Sequence, residues 1–116
     1  MRSKALIRSF FYAFKGLLFS FKTQQNFRIH LFIAVLVCLA GGYFELTNSD
    51  WIAVLLCMGM VFGSELFNTA IEQLADKLHP EQDAKIGLVK DLAAAAVLIA
   101  ALVAIAVGLI VFIPKF

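Results

Sequence analysis

The stretch Leu92-Ala-Ala-Ala-Ala-Val-Leu-Ile-Ala-Ala-Leu-Val-Ala-Ile-Ala-Val-Gly-Leu-Ile-Val-Phe-Ile113 carries no polar side chain. It has about the 20 apolar residues that a helix needs to cross a bilayer. Lipid offers no hydrogen-bond partners, so only helices and closed barrels can span it, and this run lacks the alternation of a barrel strand. Two further runs lie N-terminal to it, Trp51 to about Leu78 and Ile29 to Phe44. The last is short and has to borrow flanking residues to span. The whole chain has 116 residues and is 62% apolar, against roughly 45–50% in soluble domains. A single domain of this size has too little interior to hide that much apolar surface, so lipid must solvate much of it.

The segments between the runs are polar. Glu45-Leu-Thr-Asn-Ser-Asp50 separates the first two and offers Asn48 or Ser49 as an N-cap. His79-Pro80 follows the second run, and a residue before proline avoids helical geometry, so that helix stops there. The expected helices are 1–24, 28–46, 51–78 and 91–113. A formal net charge of +2, with no Lys/Arg block and no Cys/His cluster, gives no footprint for nucleic acid. Cys38 and Cys57 sit inside apolar runs and read as small buried hydrophobes rather than as a disulfide or metal ligands. The first twenty residues do not read as a cleaved signal peptide, because Lys15 interrupts the apolar stretch, Lys22 follows it and no small-residue cleavage site appears.

Arg2, Lys4, Arg8, Lys15, Lys22 and Arg28 precede the first span, while Lys77, Lys85 and Lys90 lie near the connector between the second and third. With three spans these regions share one side, and only Lys115 is left for the other. The excess of basic residues puts the N-terminus and second connector in the cytosol. Tyr43, Phe44 and Trp51 then mark the outer interface. In the N-terminal segment Lys4, Arg8, Lys15 and Lys22 fall within about 40° of one another at 100° per residue, with Phe11 as the one apolar residue inside the stripe. Phe10, Phe14, Leu17, Leu18 and Phe21 occupy other faces. This is the pattern of a helix lying in the headgroup plane, either as a plain anchor or as part of a site.

The second span carries Glu65, Asn68, Glu72 and Asp76, with Thr69 at their edge. They cover about 80° of the helix and form one stripe roughly 16 Å long. Glu65 lies some 21 Å from Trp51, counting about 1.5 Å per residue, and so still within a hydrocarbon core of about 30 Å. A carboxylate there costs several kcal/mol unless it is paired, protonated or faces water. A polar helix-helix contact accounts for Asn68 alone. A whole acidic stripe points further, to protons or a divalent cation, and oxygen ligands with retained waters suit Mg²⁺. Lys90 and Asp91 lie at the same level and add a cation for phosphate. Ala96, Ala100, Ala104 and Gly108 make a small-residue row on the third span, which either packs within the chain or admits a neighbouring subunit. Phosphate-binding glycine loops and nucleophile elbows are absent from the sequence, so a nucleotide site here would be of an unorthodox kind.

Glu65-Leu-Phe-Asn68-Thr-Ala-Ile-Glu72-Gln-Leu-Ala-Asp76, followed by Lys90-Asp91-Leu-Ala-Ala-Ala-Ala-Val97, resembles the prokaryotic diacylglycerol kinase family, whose Gram-positive-type members look like undecaprenol kinases. The likeness extends over nearly the whole chain, including Tyr12-Ala-Phe-Lys15-Gly16 and Asn26-Phe-Arg-Ile-His30. It implies an all-α integral membrane protein of the bacterial cell (inner) membrane, with three spans, a surface helix and composite sites in a homotrimer. It also implies ATP-dependent phosphorylation of a lipid hydroxyl, of diacylglycerol or undecaprenol, with Mg²⁺. By position, Glu65 resembles the family's catalytic base, and Glu72 and Gln24 its metal ligands at the nucleotide. Tyr12, Glu81, Lys90 and Asp91 resemble nucleotide contacts, with Asn68 and Asp76 in support. The chain departs from the usual pattern at Gln24, where a second metal-binding glutamate is common, at Gln82-Asp83, where Tyr-His is common, and at Ala5, where some members have arginine. These departures bear on affinity rather than fold. Beside the kinase stands another class, a noncatalytic membrane subunit whose acidic stripe relays protons or joins helices.

The topology predicts the outcome of thiol labelling from outside intact cells, with Ser49→Cys and Asp83→Cys introduced singly after removal of Cys38 and Cys57. Ser49→Cys should react and Asp83→Cys should be protected. The reverse pattern inverts the topology.

Overall fold

The computed structural model describes residues 2–81 and 83–116, so the expectations for Met1 and Gln82 lie outside the described residues. The described residues form four helices: α1 (Arg2–Thr23), α2 (Gln25–Tyr43), α3 (Asn48–Leu78) and α4 (Ala84–Phe112), with a short 3₁₀ turn over Ile113–Lys115. No strand occurs among the described residues. The last three helices are long and apolar enough to cross a membrane, which makes this an all-helical, three-span architecture. Most of their large apolar side chains face outward, as expected where the surroundings are lipid.

Several helix ends differ from the expected ones. Thr47, rather than Asn48 or Ser49, caps α3: its hydroxyl accepts from the Asp50 N–H at 3.1 Å, while the Asp50 carboxylate accepts from the Thr47 N–H at 3.4 Å. This reciprocal pair needs an acid three residues beyond the cap, which Asp50 supplies only for Thr47. The last helix starts at Ala84 instead of 91, because Asp83 caps it by accepting from the Lys85 N–H at 2.8 Å. Apolar patterning marks where a helix enters lipid, and the polar first turns of α4 lie before that point. At its other end α3 stops at Leu78, with His79 as C-cap, in keeping with Pro80.

Gln24 alone separates α1 from α2, in an extended conformation (φ −110, ψ 109). Arg28 fixes this elbow: its guanidinium donates to the carbonyls of Phe21 and Lys22 at 2.7 and 3.2 Å, taking up acceptors that the end of α1 leaves free. Three antiparallel helices alone are only about two helix diameters wide, roughly 20 Å. The molecule measures 50 × 44 × 21 Å, so α1 projects sideways from the spans. On it, Lys15 lies over the rings of Phe11 at 5.6 Å and Tyr12 at 6.0 Å, which explains an aromatic within the cationic stripe.

Packing of the spans is uneven. α3 and α4 meet along their lengths, with Ala93 and Ala100 buried, so part of the small-residue row works within the chain. α2 touches α3 but not α4. At the end away from α1, Leu46, Val54 and Val111 form a buried knot against Trp51 and Phe112. Phe44 stacks edgewise on Tyr43, Phe112 and Phe116, and Lys115 reaches Asp50 at 3.6 Å.

Gly41 is the tightest point of that end, since a Cβ there would lie 2.6 Å from the Trp51 ring. Gly41→Ala should lower the thermal midpoint in detergent, and Gly41→Ala with Trp51→Phe, which removes the offending ring edge, should recover part of the loss. Equal midpoints for both proteins would show that the contact is not what holds α2 to α3.

Candidate functional site

Glu65 lies in the fifth turn of α3, where it faces α2, and is only 4% exposed. His30, in the second turn of α2, brings Nε2 to 3.2 Å from the Glu65 Oε1. The approach is close but off the line of a hydrogen bond, because Oε1 has no hydrogen-bond partner. One turn on, the Asn68 amide donates to Glu72 at 3.3 Å while its own buried Oδ1 is also unpaired. Buried acceptors are nearly always satisfied in folded proteins. Here two of them, a turn apart on α3, have unused acceptor capacity.

Further along the stripe the partner changes. Asp76 turns to α4 and pairs with Lys90. Asp76 is exposed and Lys90 half-buried, so solvent screens the pair and it adds little stability; its effect is to fix the ammonium at the same level as the end of α3. Lys90, Glu81, His79 and Asp83 border a hollow of about 500 Å³ under the α3–α4 connector. His79 Nδ1 lies 2.8 Å from the Glu81 carbonyl and its Nε2 3.5 Å from Asp83, which shapes that connector. Asp91 is exposed beside Lys90.

A second cleft, about 360 Å³ and almost wholly apolar, runs between α2 and α4 over α3. His30 lines it with residues such as Val37, Val61, Ala104 and Phe112. His30 thus stands between this cleft and Glu65, while Lys90 faces the hollow at the connector.

The structure brings together Glu65, Asn68 and Glu72 on one face, and Asp76, Glu81 and Lys90 around the end of α3. Gln24 stands at the α1–α2 elbow, half-buried, with its amide donating to Thr23 Oγ1 at 3.3 Å. Tyr12 is exposed on α1, which packs on α2 and α3 and does not approach α4, so one chain does not unite Tyr12 with Lys90 and Asp91. Among the described residues no three His, Cys, Asp or Glu side chains converge as a metal cage. Sequence reasoning did not single out His30 as a site residue. The available signal was that it is the one imidazole in an apolar run with no Asp, Glu, Lys or Arg.

Three membrane-length helices, with most of their ionisable groups toward one end, define a small polytopic membrane protein. The chain belongs to the prokaryotic diacylglycerol kinase family, whose model matches residues 11–112, and this places it among membrane lipid kinases. It is 37% identical over 112 residues to the undecaprenol kinase of Bacillus subtilis, covering 93% of this chain and 88% of that protein. It is also 37% identical over 110 residues to a diacylglycerol kinase of Synechocystis, with 94% of this chain matching 63% of that protein. A diacylglycerol kinase of Haemophilus influenzae is 32% identical over 95 residues, 82% of this chain and 80% of that one.

Proposed function

We propose that this protein transfers the terminal phosphoryl group of ATP to the hydroxyl of a membrane lipid, diacylglycerol or undecaprenol, at the cytosolic face of the bacterial cell membrane. The observation that carries this reading is a buried carboxylate, Glu65, with acceptor capacity unused and an apolar cleft beside it. A lipid hydroxyl is a donor that such a carboxylate can accept from. Accepting its proton, Glu65 acts as general base on the attacking oxygen. Phosphoryl transfer otherwise asks mainly for positioning and neutralised charge. Lys90, held by Asp76, supplies a cation beside the hollow that Glu81 also borders, where a nucleotide fits.

The donor set suits Mg²⁺, which usually takes one or two carboxylates and completes its shell with phosphate oxygens and water. Glu72 is the carboxylate for it, with Gln24 as a neutral second ligand, and the ion would neutralise the triphosphate. Tyr12 and Asp91 complete the nucleotide contacts. Because α1 stays away from α4 within a chain, Tyr12 joins Lys90 and Asp91 only across an interface between copies, which favours the homotrimer.

Purified protein with labelled ATP, Mg²⁺ and each lipid in turn tests the reaction and distinguishes the two substrates. Glu65→Gln keeps the shape and loses the base, so it should remain a folded oligomer with less than about a tenth of wild-type turnover, a loss above about 1.4 kcal/mol. Greater retention favours a noncatalytic stripe.

Gln24 brings no negative charge to the cation, so catalysis should need elevated Mg²⁺. Gln24→Glu should lower the Mg²⁺ concentration for half-maximal rate at fixed ATP, while Gln25→Glu, one residue on, should not. An unchanged midpoint, or an equal shift in both proteins, removes Gln24 from the metal site.

A further inference from the structure

Resting on that reading, the geometry points to a second side chain in the reaction: His30 is a positioning residue whose ring N–H takes up the Glu65 Oε1 and turns the other carboxylate oxygen toward the lipid hydroxyl. Four observations meet at this pair. Oε1 is buried without a hydrogen bond, and an unpaired buried carboxylate oxygen is costly enough to need a donor. The imidazole Nε2 is already 3.2 Å away, so a small ring rotation aligns it. Hydrogen bonds of this kind are often loose without substrate and tighten in the reactive complex.

His30 also comes from a backbone that is held in place. Three residues before it, Phe27 is buried and meets the Phe62 ring edge-on at 5.4 Å. Two residues before it, Arg28 ties α2 to the end of α1. The ring therefore approaches Glu65 from a fixed helix rather than a loop, which is what orientation of a reacting group requires. Finally, His30 both lines the apolar cleft and touches Glu65, so it stands between the two. Apart from the weakly polar thiol of Cys57, the rest of that lining has no side-chain donor, so nothing else from the cleft can turn the carboxylate.

A residue that merely packed α2 against α3 would be replaced well by leucine. A residue that supplies a donor at the reach of Nε2 is replaced by glutamine, whose amide nitrogen extends about as far, and not by asparagine, whose amide is one carbon shorter. The experiment compares wild type with His30→Gln, His30→Asn and His30→Leu in mixed micelles, with ATP, Mg²⁺ and whichever of diacylglycerol or undecaprenol the wild type phosphorylates. Thermal midpoints and oligomer size are measured alongside. His30→Gln should keep kcat within about threefold of wild type, whereas His30→Asn and His30→Leu should lose about 100-fold, with KM for ATP unchanged. The inference is overturned if His30→Leu keeps wild-type kcat, if asparagine serves as well as glutamine, if glutamine fails as badly as leucine in a folded oligomer, or if the losses follow the thermal midpoints. A wild type that phosphorylates neither lipid overturns the lipid-kinase reading itself, and the role of His30 with it. An active wild type with indifferent His30 substitutions removes His30 alone.

Discussion

A carboxylate at Glu65 is 4% exposed in a helix that lipid surrounds, and the arrangement around it follows from having to tolerate that placement. Water is the usual partner of a carboxylate, and removing it costs several kcal/mol when nothing replaces it. Here α2 contributes one polar side chain at the matching level, His30 at 3.2 Å. The elbow at Gln24 and the Arg28 clamp set where α2 begins and therefore how deep His30 lies. Had α2 continued straight from α1, that depth would not be fixed by the end of a helix. The surface helix, the elbow and the buried acid thus form one chain of dependence.

The acidic stripe on α3 serves different neighbours along its length. Its inner end meets α2, its middle bonds to itself through Asn68 and Glu72, and its outer end reaches Lys90 on α4. This division leaves an apolar cleft between α2 and α4 beside Glu65 and a polar hollow beside Lys90. A reaction between a lipid and a charged cosubstrate asks for that separation, because each reactant arrives from the medium that dissolves it. Solvent-screened ion pairs such as Asp76–Lys90 matter here for where they hold a charge and hardly for stability.

Much of this was legible in the sequence because lipid simplifies the reading. Apolar length alone marks spans, and Pro80 ends α3 where its geometry requires. The stripe of Glu65, Asn68, Glu72 and Asp76 follows from helical spacing. The start of α4 was not legible from hydropathy, since its first turns are polar and the Asp83 cap is a local hydrogen bond. The cap at Thr47 was missed for a similar reason: three adjacent residues can each cap, and only the reach of Asp50 decides among them. The pairing of His30 with Glu65 joins residues far apart in sequence, and spacing within one helix carries no information about the partner helix.

The distribution of site residues over the chain has a consequence for assembly. Glu65 and Lys90 lie on helices that pack on each other, but Tyr12 lies on an arm that reaches away from α4. The arm presents Leu6, Ile7, Phe10 and Phe14 outward, and these suit the headgroup boundary better than water. An arm lying in that plane extends sideways from its own bundle at the level of the elbow, where the connector hollow of an adjacent copy would also lie. The residues that touch nucleotide in the proposed reaction then come from two chains, and binding and chemistry become properties of the assembly. Truncating α1 in such an arrangement removes a contact from a neighbour's site rather than from its own, which distinguishes it from an arm that only anchors.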